Sequence, residues 1–269
     1  MLLWTIAAVS LALAVVLFVC LDAVLWLIPV LFLGFYLVLL LVAFLVLWAF
    51  SAAVDKNKTQ EHDSKFYRWI VMLYIEALIP LVGLKIEVAG LERMPDVKRI
   101  LLVCNHQNEG DPGILMHYFK KYELSFVAKR EVEDMFIMGG LMHKLVCQPI
   151  HRENDREALK SILKCIQLLK ADEVSIGAFP EGGIFDKDKL HPFRSGVFKI
   201  AQKAKVPIVV CTLKGTSDLF HNMKRLRPTH VRLHLVDVIS AEEAAANTVE
   251  LGDKIYQMML SSLGPEYAP

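Results

Sequence analysis

Residues 1–54 contain no Lys, Arg or Glu, and Asp22 is their one charged side chain. A run this long and this apolar has no place in the core of a small water-soluble fold. At about 20 residues per bilayer crossing it holds two spans. It predicts membrane-spanning helices near Leu3–Leu21 and Gly34–Ala53, with the turn somewhere across Asp22–Leu33, where Pro29 is one possible break. A single helix of this length would measure about 75 Å, far more than a bilayer. A cleaved signal peptide fits poorly, because there is no basic leading region and the apolar stretch is too long. Lys56 and Lys58 follow the second span at once. By the positive-inside rule that end, and with it the amino terminus, faces the cytoplasm. The expectation is an integral membrane protein whose polar part lies on the cytoplasmic face.

Charge and cysteine usage exclude more than they suggest. The chain carries 30 Lys and Arg against 29 Asp and Glu, with no long basic run, so nothing argues for a nucleic-acid partner. Its five cysteines show neither Cys-x-x-Cys nor Cys/His ligand spacing. On a cytoplasmic chain this favours free thiols over disulfides, and no metal or cofactor is expected.

After residue 83 apolar strand-like runs alternate with helical periods. Strands are expected at Leu84–Val88, Ile100–Cys104, Leu124–Ala128, Val146–Ile150, Val174–Phe179, Ile208–Leu213 and Val231–Val236. Helices are expected at Pro112–Lys121, Asp155–Lys170, Gly196–Lys203 and Ala241–Ser261. Asn154 with Glu157, and Ser240 with Glu243, have capping-box spacing. Such alternation indicates an α/β fold: one domain with a mostly parallel sheet flanked by helices, preceded by the transmembrane helical hairpin. The organisation expected is a hairpin anchor over 1–54, a linker and interfacial amphipathic helix over 55–83, and the α/β domain over 84–269. The helix, near Ser64–Pro80, is rich in Trp, Tyr and Phe with Lys65 and Arg68 near its beginning. Aromatics and cations suit the headgroup level, although an ordinary core helix has the same pattern. Arg68 and Glu76 argue against a third span.

The chemistry concentrates in two turns at strand ends. Asn105-His106-Gln107-Asn108-Glu109-Gly110-Asp111 follows the run Ile100–Cys104, and Pro112 marks a helix start behind an acidic cap. His106 and Asp111 are placed to meet across that turn. A carboxylate that accepts Nδ1–H leaves Nε2 free to take a proton from an alcohol. Phe179-Pro180-Glu181-Gly182 follows the second apolar run, as suits a site at the carboxyl edge of an α/β sheet.

These segments resemble the glycerophospholipid acyltransferases, typified by 1-acylglycerol-3-phosphate acyltransferase. Asn105, His106 and Asp111 match that family's Asn-His-x4-Asp block, and Phe179 through Gly182 match the start of Phe-Pro-Glu-Gly-Thr-Arg. Lys129, Glu131, Gly139, Ile150 and Arg152 stand where its second block has Lys-x-Glu, Gly and Ile-x-Arg, and Val206-Pro207-Ile208-Val209 matches its fourth. The resemblance covers roughly residues 85 to 215. The chain departs from it at Gly183-Ile184 in place of Thr-Arg, at Phe136 and at Val210. The missing Arg puts recognition of an acceptor phosphate in doubt; Arg194, Lys187 or Lys189 are candidate substitutes, and a solvated basic loop is the plainer reading.

The resemblance implies transfer of a fatty acyl chain from an acyl thioester, acyl-CoA or acyl carrier protein, to a lysophospholipid. The acceptor implied is 1-acylglycerol 3-phosphate, or another lysophospholipid. His106 and Asp111 would be catalytic, and Asn105, Lys129, Glu131, Arg152, Phe179, Pro180, Glu181 and Gly182 would bind substrate. Glu181 would engage a glycerol hydroxyl or hold Arg152. The tetrahedral oxyanion needs donors, and backbone N–H groups near Asn105–Gly110 or Gly182–Gly183 are candidates. Cys104 invites an acyl-enzyme intermediate, but a buried cysteine at a strand end is commoner. Ser195 lacks the Gly-x-Ser-x-Gly elbow of a serine hydrolase. The competing class is a membrane-anchored lipid-binding protein without turnover.

Overall fold

A computed structural model of the chain describes residues 1–21, 25–150, 154–186 and 188–268. Helices α1 (Leu2–Cys20) and α2 (Leu27–Ala52) pack against each other and leave most of their apolar side chains exposed. Both are long and apolar enough to cross a membrane. Helix α2 begins seven residues before the expected Gly34, and Pro29 sits inside its first turn instead of breaking the chain. Proline is tolerated there because the first N–H groups of a helix have no intrahelical partner. The expected turn across Asp22–Leu33 lies partly outside the described residues.

Helix α3 (Lys65–Leu81) starts where the Ser64 hydroxyl accepts the Tyr67 N–H. It serves two surfaces. Ile70 and Ala77 are buried, and Tyr67, Val71, Met72 and Ile75 pack on the core. Phe66, Trp69, Leu78 and Leu81 on other positions are exposed. Arg68 is buried, with Nε and Nη2 donating to both oxygens of Asp63 at 2.8 and 2.7 Å and Nη1 donating to the Leu124 carbonyl at 2.9 Å, so its guanidinium is taken up inside the protein. Tyr74 and Tyr67 hydroxyls donate to the Ala43 and Phe50 carbonyls of α2, so α3 carries the hairpin on the rest of the protein.

The sheet contains β1 (Leu84–Ala89), β2 (Leu101–Cys104), β3 (Leu124–Lys129), β4 (Gln148–Ile150), β5 (Ser175–Ala178), β6 (Ile208–Lys214) and β7 (Thr229–Ile239) in the order β1-β7-β6-β2-β5-β3-β4. Every pairing is parallel except β6 with β7. Between the strands lie α4 (Asp111–Tyr118), α5 (Met138–Lys144), α6 (Asp155–Lys170), α7 (Phe198–Ala204), α8 (Leu219–Lys224) and α9 (Thr248–Leu263). Alternate strand residues feed two apolar layers. Leu101, Val103, Ile176, Ala178, Ile208 and Val210 meet α6, α7 and α9, whereas Leu102, Cys104, Val209, Cys211 and Leu213 meet α3 and α4.

Two expected elements differ. Val146 begins no strand; its φ of 51° places it in a left-handed turn before β4. The Ser240–Glu243 capping box forms, with both reciprocal bonds, but it opens only a short 3-10 turn. The long helix starts afresh at Thr248, where the Asn247 side chain accepts the Val249 N–H.

Candidate active site

Strands β2 and β5 are hydrogen-bonded neighbours, with Val103 opposite Ala178. Their carboxyl ends therefore release Asn105–Asp111 and Phe179–Gly182 side by side. From β2 the chain crosses through α4 to β3, beyond β5; from β5 it crosses through α7 to β6, beyond β2. Crossovers that leave in opposite directions open a crevice between two strand ends, where α/β sheets bind ligands.

His106 and Asp111 meet in that crevice. Nδ1 of His106 lies 2.9 Å from Oδ2 of Asp111. The same oxygen accepts the backbone N–H groups of Gln107 and Asn108 at 2.7 and 2.8 Å. Asp111 is the first residue of α4, fully buried, and its other oxygen has no hydrogen-bond partner among the described residues. A buried carboxylate held by three donors fixes the tautomer: Nδ1–H points at it and Nε2 is left as the basic nitrogen. Nε2 carries no hydrogen bond among the described residues, and the His106 side chain is 16% exposed. The ring is reachable at one end and fixed at the other.

The Phe179–Gly182 turn supports the imidazole from a second direction. The Phe179 ring stacks on it, centroids 4.0 Å apart and planes 14° apart. Glu181 is buried, and its two oxygens accept the His106 N–H at 2.8 Å and the His191 N–H at 2.9 Å. Burial pushes its carboxyl above the ordinary value, and those two backbone bonds offset only part of that. The turn closes with the Gly182 N–H on the Phe179 carbonyl, 2.9 Å, and Gly182 at φ 78°, a left-handed conformation that glycine adopts freely. Pro180 is buried within the turn, and its carbonyl accepts the Arg194 N–H at 2.8 Å.

The other expected residues divide. Asn105 is buried, and its amide is taken up by the backbone: Nδ2 donates to the Leu213 carbonyl and Oδ1 accepts the Leu213 N–H, both 2.8 Å. It ties the end of β2 to β6. Lys129 and Glu131 stand exposed past the end of β3, paired with each other at 2.9 Å, and neither is among the groups bonded to His106 or Asp111. Arg152 lies outside the described residues, as does Lys187. Of the proposed oxyanion donors, the N–H groups of His106, Gln107, Asn108, Gly110 and Gly182 are engaged, which leaves those of Asn105, Glu109 and Gly183 among the described residues. Cys104 is fully buried; burial pushes its thiol well up, and Cys211, Asp111 and Glu181 add to the shift. A thiolate nucleophile is disfavoured there. Among the described residues no cluster of three or more His, Cys, Asp or Glu is placed to hold a metal ion.

One contact was hidden from sequence reasoning. Gln107, next to the base, donates through Nε2 to the hydroxyl of Tyr267 at 3.3 Å, 160 residues away, and its Oε1 accepts the Gly215 N–H at 3.2 Å. The Tyr267 carbonyl in turn accepts the Leu190 N–H at 2.8 Å. The segment after α9 thus bridges the two loops of the site.

Similarity to known proteins gives the family and the fold. The family described as Acyltransferase matches residues 85–214. A probable 1-acyl-sn-glycerol-3-phosphate acyltransferase of Mycoplasma pneumoniae is 31% identical over 200 residues, 72% of this chain and 72% of that protein. The chloroplastic 1-acyl-sn-glycerol-3-phosphate acyltransferase BAT2 of Brassica napus is 30% identical over 157 residues, 58% of this chain and 44% of the plant protein. The crystal structure of the 1-acyl-sn-glycerophosphate acyltransferase PlsC from Thermotoga maritima shares the fold, with a TM-score of 0.59 over 73% of this chain and 79% of that one at 20% identity. The chain belongs to the acyltransferase family that includes the 1-acyl-sn-glycerol-3-phosphate acyltransferases.

Proposed function

We propose that the protein moves a fatty acyl chain from an acyl thioester, acyl-CoA or acyl carrier protein, to the sn-2 hydroxyl of 1-acylglycerol 3-phosphate, giving phosphatidic acid. The observation that carries this reading is the 2.9 Å contact of His106 Nδ1 with a buried Asp111, with Nε2 unengaged. Nε2 takes the proton of the attacking hydroxyl as its oxygen bonds to the thioester carbonyl carbon. Asp111 stabilises the imidazolium that forms. The C–S bond then breaks, and the departing thiolate takes the proton back from Nε2. The Gly183 N–H is the unengaged donor on the Phe179–Gly182 side for the oxyanion between these steps. Glu181 and Phe179 hold the base in place, Asn105 holds the strand ends, and Lys129, Glu131 and Arg152 are left to contact substrate.

The acceptor reading draws on the names of the relatives, and the membrane reading on α1 and α2. Residues 1–54 serve as an integral anchor, 55–83 as the link, and 84–269 as the catalytic unit on the cytoplasmic face. The test is purified protein in detergent with a labelled acyl donor and a panel of lysolipids. The panel should show 1-acylglycerol 3-phosphate with the highest kcat/KM. A preference for another lysolipid replaces the acceptor, and tight lipid binding without product sinks the enzymatic reading.

A further inference from the structure

A phosphate-bearing acceptor must find a cation beside His106, and the structure narrows the choice. Arg152 and Lys187 lie outside the described residues; among the described cations that approach the two loops, most are committed. Lys129 answers Glu131 at 2.9 Å. Lys189 donates to the Ala268 carbonyl at 2.6 Å, and Lys214 donates to Glu266 and to the Leu263 carbonyl at 2.7 and 3.0 Å. Arg194 is different. It is exposed, and its guanidinium has no ion pair or hydrogen bond among the described residues.

Its position is nevertheless defined. The Arg194 N–H is bonded to Pro180, and three residues earlier the His191 N–H is bonded to Glu181. The side chain runs back over Gly182: a Cβ built on that glycine would stand 2.9 Å from Arg194 Nε and 3.1 Å from Cδ. The guanidinium stem thus occupies the space a side chain at 182 would take. Glu181 sits between the two, one oxygen on the His106 backbone and the other on the loop that leads to Arg194.

We propose that Arg194 holds the phosphate of the acceptor, reaching over the Phe179–Gly182 turn to set the hydroxyl before His106. This rests on the acceptor reading above. A guanidinium offers a planar fork of N–H donors that matches phosphate oxygens in pairs. An uncommitted fork, anchored through its backbone to the turn that positions the base, links recognition of the phosphate to the place of reaction.

The test compares the full-length protein with Arg194→Ala and Arg194→Lys in neutral detergent micelles free of phospholipid. Each is assayed with 1-acylglycerol 3-phosphate and with monoacylglycerol, which lacks the phosphate. Arg194→Ala should lower kcat/KM for the phosphate-bearing acceptor roughly 10- to 100-fold, chiefly through KM, as loss of charge-assisted bonds predicts. Activity on monoacylglycerol should change by less than about twofold, and Arg194→Lys should recover part of the loss. Equal losses on both acceptors, no loss on either, or a raised KM for the acyl donor alone would overturn the assignment. A wild-type protein that uses monoacylglycerol but not 1-acylglycerol 3-phosphate would overturn the acceptor reading, and Arg194 with it. Equilibrium binding of 1-acylglycerol 3-phosphate without donor gives the same comparison independently of turnover, and there too Arg194→Ala must weaken binding.

Discussion

His106 is held at three places: its ring nitrogen by Asp111, its ring face by Phe179 and its backbone N–H by Glu181. Each hold has its own signature when removed. Asp111→Asn keeps the volume but loses the charge that stabilises the imidazolium, so kcat should fall about 10²- to 10⁴-fold with acceptor KM nearly unchanged. Steady-state kinetics check this, and a fall confined to KM would contradict it. Phe179→Leu removes only a stacked ring, worth about 0.5–1.5 kcal/mol. The corresponding loss in kcat is about 2- to 12-fold, and a 10³-fold loss would mean that Phe179 touches substrate. That His106 would meet Asp111, and that the Phe179–Gly182 turn would lie near them, was legible because both loops leave strand ends. That Phe179 and Glu181 hold the His106 ring and backbone was not, since the expectation for them was substrate binding. The sequence could not show that the Asn105 amide is spent on Leu213, or that Gln107 meets Tyr267, because both partners lie more than a hundred residues away.

At the scale of elements, α3 was legible as a helix but not in its task. Its aromatic residues suggested a headgroup position, while Arg68 in fact lies buried against Asp63, a partner five residues earlier on the approach to the helix. Arg68→Ala takes both bidentate bonds from that buried carboxylate and leaves it only the exposed Lys65 ammonium at 3.5 Å, which costs up to about 3–5 kcal/mol. For a chain of this size the midpoint of thermal unfolding should fall by roughly 6–15 °C, and a fall under about 2 °C would contradict the reading. The short helices α5 and α8 escaped notice because neither is long enough to show a period. A second ion cluster sits where β2 begins. Lys98 and then Arg99 hold the Asp172 carboxyl below the ordinary carboxylate value. A carboxyl depressed in the folded state contributes stability above its unfolded value, about 3.9, and loses it as pH falls through the folded one. Asp172→Asn should therefore lower the neutral plateau of a stability–pH curve and flatten its acid limb below about pH 4, where the variant and wild-type curves converge. An unaltered acid limb would show that the cluster does not report on folding.

The whole molecule joins an apolar helical pair to a mixed sheet through α3, α5 and the carboxyl end of α2. The Ser51 hydroxyl at that end donates to the Ile137 carbonyl at 2.5 Å, and a Cβ on Gly140 would collide with the Ser51 carbonyl. Such close approach requires glycine. With so much apolar surface exposed on α1 and α2, washing membranes at alkaline pH should leave the protein in the pellet. Release into the supernatant would contradict integral anchoring. The mostly parallel order was readable from the alternation of strands and helices. The reversal at β7 was not, since a single antiparallel pairing leaves no period in the sequence.

The measurement that bears most directly on the account is the rate of acyl transfer by His106→Gln against wild type, in one detergent, at saturating donor and acceptor. Glutamine preserves a polar side chain near the same volume, so folding is checked by an unchanged thermal midpoint. The account predicts a loss of at least about 10²-fold in kcat. A folded His106→Gln protein that turns over at the wild-type rate would contradict it.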